Sequence, residues 1–125
     1  VSSDGLTAYN KNFYEVTVAP ATNSYGAGNK YIMNGITSPT LNLYEGQTYT
    51  FGQSSVTNAT HPLRFSTTPN GIHGGGVEYT EGVTVFGAPG IKGSYVKFKV
   101  PVNAPILYYY CVNHSGMGGQ INTLT

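Results

Sequence analysis

A thiol, an imidazole and a thioether stand at Cys111, His114 and Met117, in the stretch Tyr108-Tyr109-Tyr110-Cys111-Val112-Asn113-His114-Ser115-Gly116-Met117-Gly118-Gly119. Soft sulfur donors select Cu(I), and imidazole serves copper in both oxidation states. A trigonal set of one Cys and two His with a weak axial Met is how proteins hold copper for electron transfer. This stretch holds three such donors, so a second histidine must come from elsewhere. Each donor also has a plainer reading. A lone Cys is commonly an inert buried thiol, and Met commonly fills gaps in a core. Glycines at 116, 118 and 119 mark a loop around Met117, which weakens the packing reading.

Of the three histidines, His61 and His73 remain. His61 shares strand parity with Leu63 and Phe65, so its side chain is expected to point inward at the start of a strand. Pro62 is tolerated there, because a missing ladder donor matters least at a strand's first residues. Cys111 shares parity with Leu107 and Tyr109 and is also expected to face the interior. Two inward donors at strand ends and a tight loop carrying two more converge at one end of a sandwich. His73 lies in the glycine-rich stretch Pro69-Asn70-Gly71-Ile72-His73-Gly74-Gly75-Gly76. Its ordinary reading is a mobile surface side chain; its alternative is a fifth donor or a replacement for Met117.

The elements that must position these residues read as strands. Phe13–Ala19 alternates with Tyr14, Val16 and Val18 on one face, and Lys30–Asn34 is closed by the turn pair Asn34-Gly35. Leu41 and Leu43 share a face, Glu45-Gly46 turns the chain, and Tyr49 and Phe51 continue. His61–Ser66, Val83–Phe86, Ser94–Val100, Ile106–Cys111 and Gly119–Leu124 complete the set. About eight or nine strands with no helix predict an all-β, Greek-key β-sandwich. The tyrosines at 108–110 fit a strand alternating inward and outward; packing is the expected role of Tyr109, with a redox relay as the alternative.

Composition agrees and excludes much. The chain has 125 residues, enough for one domain spanning 1–125. Hydrophobic residues make up 39%, while charged residues are only 9%, with seventeen Gly and seven Pro. That balance suits a turn-rich β protein with one modest core. The formal net charge is +1 and the six basic residues are scattered, so the footprint of a nucleic-acid binder is missing. No apolar run is long enough to span a membrane. One cysteine forms no internal disulfide. Val1-Ser2-Ser3-Asp4-Gly5 is compatible with a mature end after signal removal or with a domain cut from a longer chain. Asn58-Ala59-Thr60 and Asn113-His114-Ser115 match the glycosylation sequon, a pattern frequent by chance.

At the Cys-x-x-His-x-x-Met loop the chain resembles the cupredoxin family, with a spacing similar to the short ligand loop of the amicyanins. The segments Tyr31-Ile32-Met33-Asn34-Gly35, His61-Pro62-Leu63-Arg64-Phe65-Ser66 and the Tyr-Tyr-Tyr-Cys run are similar to cupredoxin-like domains of marine microbes and their phages. The resemblance implies His61, Cys111 and His114 as equatorial copper ligands and Met117 as the axial one. It implies one-electron transfer between Cu(I) and Cu(II), with His114 at the surface as the electron port and a redox partner protein docking there. In the family, the residue after the first His often donates its N–H to the copper-bound sulfur; here that residue is Pro62, which has none. A lower reduction potential is expected from that departure. The expected protein is a monomeric, non-enzymatic carrier, extracytoplasmic (periplasmic or secreted) or part of a larger surface or virion protein. The alternatives are an adhesive or structural module, or copper storage and delivery.

Overall fold

Asn34 and Gly35 both take positive φ, 49° and 86°, as the two-residue hairpin turn favoured by Asn-Gly requires. That turn joins β2 (Gly26–Met33) to β3 (Ile36–Thr37). The protein is described by a computed structural model over residues 12–125, so the expectations placed on Val1–Gly5 lie outside the described residues. The other strands are β1 (Phe13–Asn23), β4 (Leu41–Tyr44), β5 (Thr48–Gly52), β6 (Leu63–Ser66), β7 (Val83–Phe86), β8 (Tyr95–Lys99), β9 (Leu107–Cys111) and β10 (Gly119–Leu124). Ten strands stand where eight or nine were expected. The addition is β3, whose two residues are too few to show alternation. Short 3-10 turns occupy Val56–Asn58 and Gly71–Gly74. No helix among the described residues is long and apolar enough to cross a membrane.

The strands form two sheets, one in the order β3-β2-β1-β5-β8-β7 and the other in the order β4-β10-β9-β6. The β1–β5 and β10–β4 pairs are parallel; the remaining neighbours run antiparallel. This is a Greek-key β-sandwich. Alternation sorts the side chains as expected. Val16, Val18, Tyr49, Phe51, Val96 and Phe98 from one sheet meet Leu41, Leu43, Leu63, Phe65, Leu107, Tyr109 and Ile121 from the other in one apolar core. Aromatic contacts knit its centre, with Phe65 edge-on to Phe51 at 5.6 Å and stacked on Phe98 at 5.0 Å.

One pairing positions everything that follows. β6 and β9 are antiparallel neighbours with Leu63 opposite Cys111. Val112 N donates to Pro62 O at 3.1 Å just beyond the strands. The chain entering β6 and the chain leaving β9 therefore lie side by side at one end of the sandwich.

Candidate metal centre

At that end His61 and His114 turn the same ring nitrogen toward one sulfur. His61 Nδ1 lies 3.6 Å from Cys111 Sγ, and His114 Nδ1 lies 3.7 Å from it. The three donor atoms all lie within 4.8 Å of one another, and the two imidazole rings are 4.6 Å apart at their centres. These separations fit a shared ion. Metal–sulfur and metal–nitrogen bonds of about 2.3 and 2.0–2.1 Å, opened to trigonal or tetrahedral angles, put S and N roughly 3.5–3.8 Å apart. A cysteine and two histidines are thus brought together in a group that could hold a metal ion.

The triad is graded in exposure. Cys111 is fully buried, His61 is 7% exposed, and His114 is exposed. Burial pushes the His61 pKa below its ordinary value, and the neighbouring His114 imidazole lowers it further. Both causes favour the neutral ring, which is the form that binds a metal. Met117 is 1% exposed and belongs to the same apolar core as Cys111. Its carbonyl is held by Tyr31 N at 3.0 Å and Ser38 Oγ at 3.2 Å.

The backbone around His61 is pinned on both sides of the residue. Tyr31 donates its hydroxyl to the His61 carbonyl at 2.7 Å, and Gln53 Nε2 donates to the same oxygen at 2.8 Å. Gln53 Oε1 in turn accepts from Leu63 N at 3.2 Å. His61 N donates to Asn58 O at 2.8 Å, and Asn58 Nδ2 reaches Val16 O in the opposite sheet at 2.7 Å. Thr60 adopts φ 68°, a left-handed conformation that a β-branched residue disfavours. Asn113 Nδ2 donates to the Thr60 carbonyl at 3.0 Å, tying the two ligand segments directly.

The ligand loop is clamped in the same way. Gly116 N donates to Asn70 Oδ1 at 2.8 Å, and Asn70 Nδ2 donates to Ser115 Oγ at 2.8 Å. The Gly116 carbonyl accepts from Asn23 Nδ2 at 2.9 Å and Lys30 Nζ at 2.8 Å. Two glycines in this region are required by space. A Cβ on Gly118 would fall on the Tyr109 carbonyl, and one on Gly71 would fall on the Tyr110 ring.

His73 is not part of the triad. Its Nε2 lies 2.8 Å from the Cys111 carbonyl, and its ring stands edge-on to Tyr110 at 6.3 Å. The glycine-rich loop is therefore folded against β9 rather than loose. This also corrects the simple alternation of the tyrosine run: Tyr110 is buried alongside Tyr109, because the loop covers the outer face of β9. Tyr109 donates its hydroxyl to Pro39 O at 2.7 Å, and burial pushes its pKa far above the ordinary phenol range. Asn58 has both ends of its amide spent on Val16 and Gln53 and is fully buried. The folded chain cannot present that sequon to a glycosylating enzyme.

Gln53, Tyr31, Asn70 and Lys30 were missed by sequence reasoning. Gln53 carried a usable signal, since it continues the inward parity of Tyr49 and Phe51 and is polar. Asn70 carried half a signal, as an Asn before Gly suited to its left-handed φ of 63°. Tyr31 and Lys30 carried none beyond ordinary strand composition. Compared with protein-family models, curated proteins and solved structures, the chain matches none.

Proposed function

We propose that the chain is a mononuclear copper protein of the cupredoxin type that carries one electron at a time. The observation that carries this reading is the convergence of His61 Nδ1, Cys111 Sγ and His114 Nδ1 within 4.8 Å. One thiolate and two imidazoles form the equatorial set that copper electron-transfer sites use, with a long axial thioether. Met117, buried in the same core at the end of the ligand loop, is the residue that supplies that thioether. Bound copper would furnish a one-electron couple between Cu(I) and Cu(II).

The chain's own residues do the rest. The donations of Tyr31 and Gln53 to the His61 carbonyl, and the clamps on Gly116 and Met117, hold the ligand backbone in one arrangement. A rigid ligand set suits both oxidation states of the ion, so little rearrangement accompanies transfer. Burial of Cys111 and His61 excludes water from the sulfur side. The exposed ring of His114 offers the route for the electron, and a redox partner docks over it. Four protein ligands leave no open coordination position, which argues for a carrier rather than an enzyme. A monomer working outside the cytoplasm, or as part of a larger surface or virion protein, agrees with this reading.

Voltammetry of the copper-loaded protein tests the carrier role. A reversible one-electron couple is expected. Copper bound without such a couple would contradict electron transfer and favour storage or an adhesive module.

A further inference from the structure

We propose that Lys30 is a built-in cation that shifts the metal site toward its reduced, less positively charged state, an inference that rests on the copper reading above. Lys30 lies on β2 and is only 3% exposed. Lysine is almost never buried to this degree unless it is paired with an opposite charge. Among the described residues the one ion pair is Arg64 with Glu78, so the ammonium of Lys30 faces a carbonyl instead. That carbonyl belongs to Gly116, at 2.8 Å, between the donors His114 and Met117.

A clamp alone does not explain a charged group here. The Gly116 carbonyl already accepts from the neutral Asn23 amide at 2.9 Å. Its N–H is held by Asn70, and the next carbonyl is held by Tyr31 N and Ser38 Oγ. What Lys30 adds is charge, placed where solvent and salt screen it poorly. A thiolate with two neutral imidazoles carries one negative charge. The site is then singly positive with Cu(II) and neutral with Cu(I). A fixed positive charge beside the loop raises the energy of the more positive state. Lys30 therefore opposes the effect of Pro62, which withholds a hydrogen bond from the sulfur and favours Cu(II).

The test compares Lys30→Met, Lys30→Gln and Lys30→Arg with the unaltered protein. Affinities for Cu(I) and Cu(II) are measured separately by competition with chelators specific for each ion. The ratio of Cu(I) to Cu(II) affinity is expected to fall roughly tenfold in both the Met and Gln variants, the order of effect of one poorly screened charge. Lys30→Arg, which keeps the charge, is expected to stay near the unaltered ratio. The absorption spectrum of the Co(II)-substituted proteins, which reports ligand geometry, is expected not to change. Unchanged ratios in Met and Gln would overturn the proposal, and so would a Gln variant that restores what Met loses, since that outcome assigns the effect to the hydrogen bond. Should Lys30→Met fail to fold, the Gln and Arg pair decides. Failure of the unaltered protein to develop a thiolate-to-copper band would overturn the copper reading itself, whereas a band with unchanged ratios removes only the role of Lys30.

Discussion

His61 is the residue on which protons and the proposed metal ion would compete. Its pKa is lowered by burial and then by His114, so the folded, metal-free chain binds its proton less readily than the unfolded chain, whose histidine titrates at about 6.5. The unfolded state then takes up more protons on acidification. The stabilisation is complete above about pH 6.5 and is lost as the pH falls through the lower folded value. Melting temperatures of the metal-free protein should therefore decline on acidification through that window, and His61→Gln should flatten that part of the profile. An equally steep decline in the variant would place the proton elsewhere. Pro62 sits beside His61 and has no N–H to donate to the Cys111 sulfur. Pro62→Ala, by restoring an N–H, is expected to raise the reduction potential of the copper-loaded protein. An unchanged or lower potential in a voltammetric titration counts against that tuning.

The loop from Cys111 to Gly118 illustrates what a short element owes to its surroundings. Gly118 packs so closely beneath the Tyr109 carbonyl that no Cβ fits. Gly118→Ala should cost about 3 kcal/mol or more of folding stability, read from denaturant unfolding of the metal-free protein. A loss within about 0.5 kcal/mol, ordinary for a surface position, would show that the loop has room to shift. The triad residues Cys111 and His114 were legible because thiol and imidazole chemistry is tied to residue type, and the inward faces of His61 and Cys111 because a strand's period is two. Nine of the strands were legible for the same reason. The restraints were not. Asn70, Asn23 and Lys30 reach Gly116 from segments far away in the sequence, and no local pattern encodes a contact that only tertiary folding creates. The burial of Tyr110 was hidden likewise, since it depends on where the Gly71–Gly74 turn comes to rest.

Across the whole molecule, Asn58 joins the two sheets to the end that carries His61, Cys111 and His114. It is fully buried, donates to Val16 O on β1, and accepts from Gln53, which itself holds the His61 carbonyl and Leu63 N. Removing such a group leaves buried partners without hydrogen bonds, at about 1–3 kcal/mol each. Asn58→Ala should therefore destabilise the fold by about 2 kcal/mol or more, and weaken metal binding by loosening the segment before His61. Chemical denaturation and metal competition, run on the same variant, check the two halves of that expectation. The sandwich thus delivers two ligand segments to one end and fixes them through polar groups drawn from both sheets. The most direct measurement of the central claim is the visible absorption of the metal-free protein on addition of one equivalent of Cu(II). An intense thiolate-to-copper band should appear, vanish in Cys111→Ser, and survive in His73→Ala, whose ring binds the Cys111 carbonyl rather than joining the triad. No band, or a band lost in His73→Ala but kept in Met117→Ala, would contradict the site as His61, Cys111, His114 and Met117.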